Sequence, residues 1–311
     1  MKITRNTFLI VTSFVITSTM LFVGCQKKET IEYEPLYADK PTFVNKSTYI
    51  FGVHPLHNPK RLFQVYQPMI DYINERLDNS ELRLEASRDY ASYNKKLFSR
   101  HFHFALPNPY QTVTATKHGY KIFGKMGDDK KFRGVILVRK DSGIQKVSDL
   151  KGKTISYPAP TALAATMMPQ WFLHAHGIDI NKDITNSYVG SQESSIMNVY
   201  LGESAASSTW LPPWEAFIKE RPKIAKEVMI KWETNSLPNN GLVVRDDVPE
   251  DLIEKVSDII FSLNKTPKGR KILRAMKLSG FEKADDSTYD SVREFIVKFE
   301  KEVRPIRLED E

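Results

Sequence analysis

Seven histidines, a single cysteine and a tryptophan pair are the side chains in this 311-residue sequence whose chemistry could go beyond packing. His101 and His103 are two residues apart, so a strand would place them on one face, and two imidazoles on one face are half of a metal site. No third histidine or carboxylate stands at a matching spacing, and no metal is expected. His174 and His176 close a helical segment, where residues two apart diverge and a cation complements the helix dipole. Cys25 has no partner for an intramolecular disulfide or a Cys-based zinc or redox pair. G-x-S-x-G, the Walker phosphate loop and H-E-x-x-H are all absent, so the chain reads as non-catalytic and without a cofactor. What remains is recognition. Trp210-Leu211-Pro212-Pro213-Trp214 is expected in a loop, and with Tyr90, Tyr110 and Phe132 its rings could box an organic or cationic solute. The competing reading packs both tryptophans onto their own domain and makes Ser207, Ser208 and Thr209 a small-residue strand.

The N-terminus reads as an export signal. Lys2 and Arg5 precede an apolar, uncharged run from Phe8 to Val23. That run is short for a hydrocarbon core about 30 Å thick, which needs roughly 20 apolar residues. Leu21-Phe22-Val23-Gly24-Cys25 resembles the lipobox of bacterial lipoproteins, which implies cleavage before Cys25 and acylation of its thiol. Residues 26–46 are polar, carry Pro35 and Pro41 and lack periodicity, as a flexible tether would. The expected product is anchored by its lipid in the cell envelope, on the periplasmic side or at the cell surface. The formal charge is +7, and Lys2 and Arg5 are part of that excess. No basic stripe interleaved with aromatics is present, which argues against nucleic acid as a partner.

Behind the tether, elements must position the candidate rings. Thr48 to Val53 reads as a buried strand, and Asn58 with Pro59 opens a helix whose apolar residues run from Leu62 to Leu77 at spacings of three and four. A strand at Leu82–Ala86, a helix over 90–99 and a strand over 102–106 complete β-α-β-α-β, which predicts a mostly parallel sheet with ligands at the carboxyl ends of its strands. The pattern restarts with strands over 132–138 and 154–157, a helix over 161–176 ended by Gly177, a strand over 186–189, a helix over 193–201 and a short strand over 205–208. Gly241 to Val244 reads as a return strand, and three helices follow over 249–263, 267–277 and 289–303. The expectation is an α/β protein of two lobes. Lobe 1 takes residues 47–133 and 242–311, and lobe 2 takes residues 134–241.

The segments GVHPLHNPKRLFQVYQPMIDYINERL, RDYASYNKKLF, FALPNPYQTVTA, VILVRKDSGIQKVSDLKGKTISYP, GSQESSIMNVYLGE and LPNNGLVVRDDVP together resemble the phosphate/phosphite/phosphonate-type periplasmic binding proteins of ABC importers, over nearly the whole chain behind the tether. The resemblance implies a type II solute-binding fold with hinge strands near Phe132–Val138 and Gly241–Val244. It also implies a monomer that closes on a small-molecule solute and delivers it to an ABC permease; a membrane sensor such as a histidine kinase is the alternative partner. Tyr90 and Tyr110 match ligand-facing positions of that family, and Phe132 stands where a tyrosine is usual. The family's hydroxyl-rich anion loop falls on Ala162, Leu163 and Ala164, with Thr161 adjacent. Its histidine falls on Gln192, and an acidic position falls near Thr209 and Trp210. Each hydroxyl lost is a charge-assisted hydrogen bond of about 1.5–3 kcal/mol that an oxyanion would not receive. The helix start after Pro160 would still offer backbone N–H groups.

Overall fold

The computed structural model describes residues 46–306. The export segment, Cys25 and all but the last residue of the expected tether lie outside the described residues.

Strand β1 (Ser47–Val53) is followed by α1 (Pro59–Asn74). The Asn58 side chain accepts the Arg61 N–H, Pro59 sits in the first turn, and the buried face carries Leu62, Tyr66, Met69, Ile70 and Ile73. Full burial of one such aliphatic side chain contributes about 1.5–3 kcal/mol. The chain continues through β2 (Ser80–Ala86), α2 (Tyr90–Phe98), β3 (Phe104–Leu106), α3 (Pro109–Ala115) and β4 (Tyr120–Met126). It then enters a second sheet through β5 (Arg133–Arg139) and β6 (Thr154–Tyr157). There follow α4 (Met168–Ala175), β7 (Thr185–Tyr188), α5 (Gln192–Leu201), β8 (Ala206–Trp210), α6 (Leu211–Glu220), α7 (Pro222–Glu227) and β9 (Val228–Ser236). It returns in β10 (Gly241–Arg245), with α8 (Glu250–Phe261), α9 (Pro267–Met276), β11 (Phe281–Lys283) and α10 (Asp290–Glu302) behind it.

The first sheet has the order β11-β4-β10-β3-β1-β2 and the second β7-β6-β8-β5-β9. Both are mixed, where mostly parallel sheets were expected. β1 runs parallel to β2 and β3, but β10 is antiparallel to β3 and β4; β6 runs parallel to β7 and β8, but β5 is antiparallel to β8 and β9. The physical reason is the double passage between sheets, because a strand that returns from the other sheet enters from the opposite end.

Those passages are residues 127–132 and 237–240. β5 and β10, expected to be hinge strands, each belong wholly to one sheet, and the irregular segments before them make the crossing. The two crossings are bonded side by side. The Asn239 side-chain amide donates to Gly127 O (2.7 Å), the Asn239 N–H to Asp129 Oδ1 (3.0 Å) and the Leu237 N–H to Phe132 O (3.2 Å). Tyr289, just before α10, donates its hydroxyl to Asn239 O at 2.7 Å. Asp128 takes φ +62° in the first crossing and accepts from the Ser279 N–H and hydroxyl. Beyond α10 the chain reaches the second sheet's helices: Asn181 donates to Val303 O, and Arg304 donates to Gln170 Oε1 (2.9 Å) and Pro160 O (2.7 Å).

Candidate functional site

Beside the crossings lies a small cavity of about 10 Å³, roughly what one water molecule needs. Its first wall is built at the carboxyl ends of β1 and β3. His54 follows β1 directly, and its Nδ1 lies 2.9 Å from Leu106 O; a carbonyl only accepts, so Nδ1 carries the proton. Burial pushes the His54 pKa down to about 4, against the smaller opposing pull of that hydrogen bond, so the ring is neutral at pH 7 with Nε2 as an acceptor. Tyr90 opens α2 and meets the His54 ring edge-on with centroids 6.2 Å apart. Asn108 caps α3 through a reciprocal bond with Gln111, and Asn240 completes this wall from the second crossing.

The second wall is the entry to α4. Behind β6 the chain runs through Pro158-Ala159-Pro160-Thr161 into a π turn, Leu163–Met167, that leads directly into α4 and has no side-chain cap. Ala162, Leu163, Ala164 and Ala165 line the cavity there. Two features of the strands behind hold this start in place. The Ser208 hydroxyl donates to Ala165 O, and Gly134 lets the turn approach β5 so closely that a Cβ on residue 134 would lie 2.3 Å from Ala164 O. Gln192 opens α5; the Thr209 hydroxyl donates to its Oε1 at 2.7 Å, which turns Nε2 toward the Tyr90 hydroxyl 3.5 Å away on the opposite wall. Asn108 makes a second bridge between walls, to Thr161 O at 3.2 Å. Trp210 ends β8 with its ring 5.4 Å from that of Phe132.

Of the residues singled out from sequence, Tyr90, Phe132, Ala162, Leu163, Ala164, Gln192 and Trp210 line this cavity. Thr161 is fully buried beside it and contributes its carbonyl to the Asn108 bridge. Two are placed elsewhere. Tyr110 is buried in the first turn of α3 and is not among the lining residues. Trp214 is not in a loop, because Leu211 onward is helix α6; it packs against Val135, Leu137, Ile196 and Phe217 of its own layer. A proline pair at a helix start is compatible with helix, and the apolar spacing of Trp214 and Phe217 draws that face inward. Sequence reasoning missed His54, Asn108, Ala165 and Asn240. His54 was readable as the residue after a strand carboxyl end, and Asn108-Pro109 as a helix cap; Ala165 and Asn240 carried no signal of their own.

The histidine pairs have other employment. His103 Nδ1 accepts the Ile50 N–H at 2.9 Å, and His101 Nε2 lies 2.9 Å from Glu85 Oε2. Among the described residues no group of three His, Cys, Asp or Glu side chains could hold a metal ion. Outside this lining, between α1 and the helices α5 and α6, Asn58 faces the Glu193 carboxylate at 3.2 Å and Arg61 pairs with Glu220. A larger groove of about 500 Å³, lined by Trp171, Phe172 and Phe295, lies against α4 and β9 and reaches Leu237 at the start of the second crossing. Among the described residues no helix is long and apolar enough to cross a membrane.

Two mixed sheets flanked by helices, joined by two adjacent crossings beside a cavity, define the α/β architecture of periplasmic binding proteins. The structure of PhnD1 from Prochlorococcus marinus in complex with methylphosphonate superimposes with a TM-score of 0.75 at 19% identity, covering 82% of this chain and 99% of that one. Residues 51–289 match the family model described as ABC transporter, phosphonate, periplasmic substrate-binding protein, and the chain belongs to that family. A probable ABC transporter phosphite binding protein PhnD1 from Prochlorococcus marinus is 24% identical over 186 residues, 56% of this chain and 63% of that protein. The phosphonates-binding periplasmic protein of Escherichia coli is 20% identical over 164 residues, 51% of this chain and 48% of that protein. The aligned part thus spans about half to two thirds of these relatives, both named as binding proteins.

Proposed function

We propose that the chain is the solute-binding component of an ABC importer of the phosphonate-transporter type, working outside the cytoplasmic membrane. It holds a small solute between the two sheets and hands it to a permease. In this reading residues 47–133 and 242–311 form one lobe and 134–241 the other, hinged at the paired crossings, and the monomer is tethered by a lipid on Cys25. The observation that carries the reading is the cavity whose walls come from both sheets, at strand carboxyl ends and beside both crossings, where open α/β sheets bind ligands. Asn108 to Thr161 O and Gln192 to Tyr90 are the contacts that would break on opening and reform around a solute.

The test is a thermal-unfolding screen of the soluble body against phosphate, phosphonates, sulfonates, amino acids and quaternary amines. A ligand at about a hundred times its Kd adds about 2.7 kcal/mol to the folded state. Small-angle scattering with and without the hit should show a smaller radius when it is bound. Absence of any stabilisation across all classes, including extracts of growth medium, would end the transport reading. Mass spectrometry of the membrane fraction checks the anchor, with a diacylglyceryl group on Cys25 as the expected result.

A further inference from the structure

The lining of the cavity contains no Lys, Arg, Asp or Glu. Arg61, which lies outside this lining, is paired with Glu220. Desolvating an ion costs several kcal/mol even after the protein relaxes, and here no opposite charge offsets it. Two of the polar groups on the first wall also have the wrong sense for an oxyanion. His54 is neutral, with its only N–H spent on Leu106 O, so Nε2 presents a lone pair. Asn240 is fully buried, and its Oδ1 has no hydrogen-bond partner. Its amide orientation follows from its neighbour: Nδ2 points at Met126 Sδ at 3.4 Å, and sulfur accepts weakly but cannot donate, which leaves Oδ1 for the other side. A buried acceptor without a donor costs about 1–3 kcal/mol, a penalty that a ligand N–H or O–H would remove.

The second wall is complementary. The uncapped π turn at Leu163 offers backbone N–H groups to one acceptor atom, and the side chains it gives to the lining, Leu163, Ala164 and Ala165, are apolar, as are Phe132 and the ring face of Trp210. The volume holds about one water molecule, so a solute enters only when the walls separate. Resting on the binding reading above, we infer that the solute is a small uncharged molecule, with an N–H or O–H for Asn240 Oδ1 and His54 Nε2, an oxygen for the Leu163 turn and an apolar edge, taken in preference to a phosphonate of the same shape.

Three probes of one tetrahedral shape separate charge from size: methanesulfonamide, neutral with two N–H donors; methanesulfonate, a monoanion with none; and methylphosphonate. Each is titrated calorimetrically into the purified protein at pH 8. The expected result is at least tenfold tighter binding of methanesulfonamide than of either anion. Equal or tighter binding of methylphosphonate overturns the inference but leaves the solute-binding reading standing, as does failure of methanesulfonamide to bind at millimolar concentration while another compound of the broader screen stabilises the protein. No stabilisation by anything in that screen ends both. In Asn240→Leu, with folding checked by its unfolding transition, affinity for methanesulfonamide should fall about tenfold; unchanged affinity overturns the role given to Oδ1.

Discussion

The two walls of the cavity are built on opposite principles. On the first, the helix that begins at the cavity closes its own hydrogen bonds: Asn108 and Gln111 satisfy each other's backbone at the start of α3, and Asp89 caps α2 through the Ser92 N–H. On the second, α5 is likewise capped by Ser191, but the turn entering α4 is not capped at all and is held by what lies behind it, Ser208 and the space above Gly134. A self-capped helix end is a finished piece of scaffold. An uncapped one keeps donors in reserve for a visitor, and the fold must restrain it by other means.

The largest expected effect that sharpens this contrast comes from the first wall. His54 titrates near 4 in the folded protein and near 6.5 when unfolded. Between those values the unfolded chain takes up a proton that the folded chain refuses, so stability is complete above about pH 6.5 and falls as pH drops toward 4. The loss is on the order of 3 kcal/mol. Denaturant titrations at pH 7.5 and 4.5 measure it together with the similar contribution of His57, which burial lowers to about 3, so His54→Gln should remove about half of the difference; an equal slope in that variant would assign it elsewhere.

On the second wall, Gly134→Ala should cost about 1–3 kcal/mol, because the new methyl can be accommodated only if the turn at Ala164 or strand β5 shifts. The same variant should lose its response to any solute that stabilises the native protein. A variant that unfolds like the parent would break the claim that the uncapped turn is held by close approach to β5. Thr209→Val leaves Gln192 Oε1 without its donor and should cost about 1–2 kcal/mol, read from the urea midpoint at unchanged slope. Smallest is Arg61→Ala, outside the cavity lining, where the pair with Glu220 is partly exposed and the loss should stay below about 1 kcal/mol and shrink with salt.

Most of the scaffold was legible because it is local. The Asn58-Pro59 start of α1 and the 3.6-residue apolar period behind it came out as read, as did the strand at Thr154–Tyr157. Strands β4 and β9 escaped, since YKIFGKM and VMIKWETNS mix charge, glycine and apolar residues without clean alternation; their antiparallel neighbours β10 and β5 make them strands. The tryptophan segment was misplaced for a related reason. Trp210 and Trp214 are four residues apart, but the junction of β8 and α6 falls between them, and one ring goes to the cavity while the other goes to the core.

Composition, the unpaired cysteine and two rounds of strand-helix alternation determined by themselves that this is a two-part α/β chain without a nucleophile motif, because those properties reside in residue type and short-range period. Which groups meet in the cavity was decided only by tertiary structure. His54, Asn108, Gln192 and Asn240 are brought together by two crossings and two sheets, and the electrical character of their meeting place depends on burial and on where each proton is already spent. Neither quantity is a property of any segment taken alone.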